Sequence, residues 1–160
     1  FDKFVPSEVP KQNYILFPAD PNRKEKNAAL LYKIEGEITD KFPNISIMFG
    51  GNIARSDMPR IMGNALMVLS IGDYESDGLV LKEAMALNVP VVSTDVGNAK
   101  YYLNDESGVV IDSDAHSLKG AIINILDSSN SFVSGRKQLL DLQVDNRSTA
   151  VKLLGIYEGN

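Results

Sequence analysis

Glu75 and Glu83 bracket a mostly apolar run in "ESDGLVLKEAMALNVPVVSTDVG", residues 75–97, with seven residues between them. An ionised carboxylate accepts hydrogen bonds and donates none, so the neighbouring hydroxyls of a ribose or a hexose suit both acids. Glu83 interrupts Leu79-Val80-Leu81 and Ala84-Met85-Ala86-Leu87. Burying it there without donors costs several kcal/mol. Between the acids, the amides around Asp77-Gly78-Leu79 stand where a helix begins, and free N–H groups plus the helix dipole favour a phosphate at such a place. Gly78 lets an oxygen approach the backbone closely. Spacing by itself leaves a plainer reading open, with Glu75 in a solvated loop and Glu83 on a helix surface.

The elements that must position these residues are legible as apolar runs of strand length at 13–19, 45–51, 65–72, 89–95 and 108–112. They do not alternate with polar residues, as expected of strands covered on both faces. Helical patterns fall at 27–41, 58–64, 78–88, 99–103 and 115–126, with two further helices at 135–144 and 148–157 after the loop "DSSNSF". Strand and helix in alternation specify an open parallel sheet with helices on both faces, because parallel strands need crossovers. Ligands of such sheets bind outside the carboxyl ends of the strands, where Glu75 falls.

The chain has 160 residues, 44% of them apolar, which fits a single domain with a real core. A net charge of -5 without a Lys/Arg run argues against nucleic acid as a partner. There is no cysteine, hence no disulfide, thiolate metal site or cysteine nucleophile. His116, the only histidine, falls in the first turn of helix 115–126, so neither a Ser-His-Asp triad nor a histidine metal site can be assembled. No run is long and apolar enough to cross a bilayer and the amino end is not a signal peptide, so the chain reads as cytoplasmic. It starts without methionine and reads as a piece of something longer.

The segment "ESDGLVLKEAMALNVPVVSTDVG" resembles the donor-site signature of retaining glycosyltransferases of family four. Its approach "MPRIMGNALMVLSIGDYES", the following "SGVVIDSDAHSLKGAIINIL", the first turn "ILFPADPNRKEKN" and the opening "FDKFVPS" are similar to the same family in order. The resemblance implies an α/β, Rossmann-like domain that is one half of a GT-B architecture. Residues 1–160 would be the carboxyl-terminal donor domain, with 1–12 the end of an interdomain linker, 130–160 the carboxyl-terminal helices, and the acceptor-binding amino-terminal half absent.

Carried over by position, it implies that Glu83 receives ribose hydroxyls and Glu75 holds hydroxyls of the donor sugar. Amides at Ser76, Asp77, Gly78 and Leu79 would touch the diphosphate or sugar, Gly97 would lie near the donor, and Lys26 would neutralise the diphosphate as the glycosidic bond breaks. Most members carry Gly-Arg after the first strand, where this chain has Ala19-Asp20. Arg23 is inferred to take that role, as a planar donor fork suited to phosphate. The connection "GGNIARSD" is shorter than in many members, which leaves the base undetermined.

The partners so implied are a nucleotide sugar and, through the missing half, an acceptor saccharide or lipid-linked acceptor; peripheral membrane association of the full-length enzyme is compatible with this. No cofactor and no metal are expected. Asp112-Ser113-Asp114 has the D-x-D form of manganese sites in another glycosyltransferase architecture, but here it ends a strand and opens a helix, as capping residues do. Gly50-Gly51 lacks the spacing of a dinucleotide fingerprint. Leu139, Leu142, Val151, Leu154 and Tyr157 read as a packing stripe, part of which would be exposed in an isolated domain. Two other classes stay open: a non-catalytic nucleotide-sugar-binding module, and another doubly wound domain such as half of a nucleotide-sugar epimerase.

Overall fold

The computed structural model describes residues 3–6, 8–128, 132, 134–144 and 146–158. Parts of the expected linker (1, 2 and 7) and of the "DSSNSF" loop (129–131) therefore lie outside the described residues. The strands are β1 (Tyr14–Phe17), β2 (Ser46–Phe49), β3 (Met67–Ser70), β4 (Val91–Thr94) and β5 (Gly108–Ile111). They form one sheet in the order β2-β1-β3-β4-β5, with every neighbouring pair parallel.

Helical crossovers join the strands, as parallel pairing requires. A 3-10 turn (Lys24–Lys26), α1 (Ala28–Tyr32) and α2 (Glu35–Lys41) lead from β1 to β2. The next three crossovers are α3 (Met58–Asn64), α4 (Leu79–Ala86) and α5 (Ala99–Tyr102). Among the described residues, β5 is followed by α6 (Ala115–Asp127), α7 (Gly135–Asp141) and α8 (Asn146–Glu158). One expectation fails in detail, since 27–41 is two helices rather than one. The backbone tightens between them, where Ile34 N–H bonds Leu31 O three residues back and the Ile34 side chain turns into the core. Gly36, a weak helix former, is the second residue of α2.

Side chains along a strand point alternately to the two faces of the sheet, and here both sets are buried. Tyr14 and Leu16 of β1 join a cluster with Val68, Val91 and residues of α3, α4 and α7, among them Met62, Leu81, Met85 and Leu139. Ile15 and Phe17 join another with Met67, Leu69, Val92 and residues of α1, α2 and α6, among them Leu31, Ile38, Leu118 and Ile122. That two-sided burial is the physical reason for unbroken apolar runs in the sequence. It also places α1 and α2 on one face and α4 on the other. Loops leaving β1 and β3, neighbours in the sheet, thus diverge to opposite faces, which opens a crevice at their carboxyl ends.

Candidate functional site

A crevice of about 480 Å³ lies at this switch point. Arg23, Glu25 and Lys26 reach it from the loop after β1, residues 73–76 from the loop after β3, and Val96 and Gly97 from the loop after β4. The first loop is shaped by its own side chains. Asp20 Oδ1 accepts the Asn22 amide at 2.9 Å, and Arg23 N–H bonds Asp20 O at 3.1 Å, closing a turn that delivers the 3-10 segment. Asn27 then takes a left-handed conformation, φ 57°, and its side-chain amide donates to Asp73 Oδ1 at 3.1 Å and Ser113 Oγ at 3.3 Å. Asp73 N–H donates to Glu25 O at 2.9 Å. The loops after β1 and β3 are therefore bonded to each other before any ligand arrives.

Across that junction Lys26 Nζ lies 3.0 Å from Glu75 Oε2, and the Ser76 amide donates to Glu75 Oε1 at 3.2 Å. The guanidinium of Arg23 contacts Glu25 at 2.6 Å and is more than half exposed. Sequence reasoning placed Lys26, Glu75, Arg23, Ser76 and Gly97 together, and all five line the crevice. Gly97 has φ 56°, and a Cβ there would stand 2.6 Å from Glu75 O and 2.9 Å from Ser76 O. Gly97→Ala is expected to push the β4 loop off the Glu75 backbone, at about 1–3 kcal/mol of strain. A urea unfolding curve unchanged from wild type would show that the loop gives way freely.

Asp77, Gly78 and Leu79 are not part of the crevice lining. Gly78 sits immediately before α4 with φ 64°, a conformation glycine adopts without a steric cost. The Asp77 carboxylate is held by Lys82 of α4, by the Tyr102 hydroxyl at 3.0 Å and by the Asn98 amide at 3.3 Å. The Lys82 hydrogen bond keeps the Asp77 carboxyl below the usual range. Burial, followed by the hydrogen bond to Asp77, pushes the Tyr102 phenol up to about 12. Lys82 also lies 5.4 Å from the centre of the Tyr102 ring. This network ties the loop after β3 to α5, and neither Lys82 nor Tyr102 was singled out from sequence. An acid and a lysine five residues apart across a helix start is the local signal that could have pointed to it.

Glu83 is the fifth residue of α4 and does not line the crevice with Glu75. At about 1.5 Å of rise per residue, it stands roughly 6 Å along the helix from Leu79. Burial raises its pKa above the ordinary carboxylate value, and Arg55, in the loop between β2 and α3, opposes that rise. Among the described residues, no hydrogen bond or ion pair to the Glu83 side chain is found. A carboxyl whose folded pKa is raised destabilises the fold once it ionises, so stability falls as pH climbs from the ordinary carboxylate range through the raised value. Glu83→Gln is accordingly expected to unfold at a higher temperature than wild type at neutral pH and to match it in acid. Melting curves that differ equally at all pH values would refute the assignment. Arg55 carried no sequence signal, because its approach to Glu83 depends on the path of a distant loop.

Asp114 caps α6, its carboxylate accepting the Ser117 amide at 2.9 Å, as the capping reading expected. His116 is exposed. Of the carboxyl-terminal stripe, Leu139 is buried and Leu142 packs against the same cluster, whereas Val151, Leu154 and Tyr157 of α8 are exposed. Among the described residues, no helix is long and apolar enough to cross a membrane.

The sequence profile of the family described as "Glycosyl transferases group 1" matches residues 5–138. Sucrose-phosphate synthase from Thermosynechococcus elongatus is 19% identical with a TM-score of 0.76, over 99% of this chain and 50% of that one. TarM from S. aureus, in complex with Fondaparinux, alpha-GlcNAc-glycerol and UDP, is 16% identical with a TM-score of 0.79, over 96% and 37%. The C-terminal domain of the glycosyl transferase group 1 family protein LpcC from Francisella tularensis is 17% identical with a TM-score of 0.74, over 88% and 95%. The chain thus spans half or less of the first two structures and nearly all of a carboxyl-terminal domain of the third. No curated protein matches it. These likenesses show a Rossmann-like α/β fold shared with the carboxyl-terminal domains of GT-B glycosyltransferases, and by the profile match the chain belongs to the group 1 glycosyl transferases.

Proposed function

We propose that this chain is the donor half of a retaining, family-four glycosyltransferase, binding a nucleotide-diphosphate sugar whose hexosyl group is passed to a saccharide or lipid-linked acceptor held by a second domain. The observation that carries the reading is the crevice at the β1/β3 switch point, where a cation and a carboxylate from different loops meet at 3.0 Å. Lys26, with Arg23, neutralises the diphosphate; Glu75 accepts sugar hydroxyls; the amides of Ser76 and Gly97 in the crevice lining, and those of residues 77–79 past its edge at the start of α4, approach the diphosphate or sugar. Glu83 accepts the ribose hydroxyls, which supply donors its half-buried carboxylate does not find among the described residues. TarM, crystallised with UDP, has the same fold, which accords with nucleotide binding by this chain.

Catalysis on this reading is electrostatic, with preorganised charge stabilising the departing diphosphate. It calls on no metal and no protein nucleophile. Alone, the chain binds donor without transferring it, since the reacting centre closes between two domains. Calorimetric titration with UDP-, GDP- and ADP-hexoses tests the reading directly. One of the three is expected to bind, and Glu83→Ala is expected to weaken that binding at least tenfold; silence with all three would remove the donor site.

A further inference from the structure

Both carboxylate oxygens of Glu75 are already engaged, Oε2 by the Lys26 ammonium at 3.0 Å and Oε1 by the Ser76 amide at 3.2 Å. Lys26 and Glu75 are equally shielded, each 22% exposed, so their attraction is less screened than that of a surface pair. A diphosphate entering the crevice must draw Lys26 away and leave Glu75 short of a donor. We propose, resting on the donor-site reading above, that Glu75 competes internally for Lys26, making the crevice a poor site for a free nucleoside diphosphate and a selective one for the intact nucleotide sugar.

The chemistry of the two ligands differs at one point only. An intact donor brings hydroxyls to the same carboxylate that gives up the ammonium, so both partners of the broken pair are satisfied again. A free diphosphate brings phosphate oxygens for Lys26 and nothing for Glu75, whose negative charge then also faces the incoming anion. Glu75 recovers Lys26 when such a ligand leaves, which favours release of the product diphosphate. The other cation of the crevice is also held by an acid, but the Arg23 and Glu25 side chains are 57% and 42% exposed. Water takes over their partners readily, so Lys26 is where the competition is felt.

The test is calorimetry of UDP, GDP and ADP, and of UDP-glucose, GDP-mannose and ADP-glucose, against the wild-type chain, Glu75→Gln, Lys26→Ala and the double variant. Whichever diphosphate binds wild type is expected to bind Glu75→Gln about fivefold tighter, the size of effect a partly shielded ion pair exerts. Its hexose conjugate is expected to gain nothing, so the preference for conjugate over diphosphate shrinks by at least that factor. In the Lys26→Ala background the gain should vanish. A diphosphate bound no tighter by Glu75→Gln, or a gain that persists without Lys26, overturns the competition while leaving the donor site standing. Failure of the wild-type chain to bind any of the six ligands overturns both.

Discussion

Lys26→Ala is expected to lower transfer about a hundredfold to a thousandfold in an enzyme that carries this domain with its acceptor-binding half, the usual loss when one preorganised donor to a developing anion is removed. The reason is positional. Lys26 ends the 3-10 turn after β1, and that turn is bonded to the loop after β3 through Asn27, Glu25 and Asp73. Its ammonium therefore reaches the crevice without the ligand having to organise a loop. Arg23, more exposed and attached to Glu25 beside it, is a poorer substitute, and Arg23→Ala is expected to cost about tenfold or less. The loss should appear in kcat more than in KM, because charge on the leaving diphosphate grows as the glycosidic bond breaks. Glu75→Ala should also cut transfer sharply, by a different route: it loses hold of the sugar while its grip on the bare diphosphate improves. Steady-state kinetics with circular dichroism as a check on folding decides the matter. Lys26→Ala turning over within threefold of wild type would remove the lysine from the chemistry.

The sheet was legible because each strand carries apolar residues on both faces, and a run such as Tyr14 to Phe17 suits a strand covered on both sides in a parallel α/β chain. Glu75 was legible from its place just beyond a strand end, while Lys26 came from the resemblance to family four and Arg23 from an inference made on it; the topology brings all three to one crevice. Their pairing was not legible. That Lys26 meets Glu75, and Arg23 meets Glu25, depends on side-chain reach across loops 49 residues apart in one case and two in the other. The same holds for Arg55 near Glu83 and for Tyr102 on Asp77, since loop paths carry no periodicity to read. The two glutamates of the signature also proved less alike than their spacing suggested. Glu75 is in the crevice with a cation on it, while Glu83 stands farther along α4 with a raised pKa and, among the described residues, no such partner.

The second large effect concerns what holds α4, and with it Glu83, in place. Leu139 of α7 is completely buried against the α4 side of the sheet, and Leu139→Ala is expected to cost about 2–5 kcal/mol. Set against the roughly 5–15 kcal/mol by which a domain is stable, that is a serious loss. The contact leaves no room to relax. A Cβ on Gly135 would already lie 2.8 Å from Met85 O, so α7 meets α4 at backbone distance and cannot close further onto a cavity. Arg136 fastens the same junction, its guanidinium donating to Ala86 O at 3.0 Å and to Phe4 O at 2.6 Å, while its amide donates to Asn88 Oδ1 at 2.9 Å. Leu154→Ala on α8 is the contrasting case. That side chain is 58% exposed, and truncating it is expected to change stability by no more than about 0.5 kcal/mol. Urea unfolding should show a lower midpoint with an unchanged slope for Leu139→Ala, and nucleotide affinity should fall with it wherever α4 loosens before the sheet does. A midpoint equal to wild type would mean that α7 unfolds separately, and that the helix bearing Glu83 is held by the sheet alone.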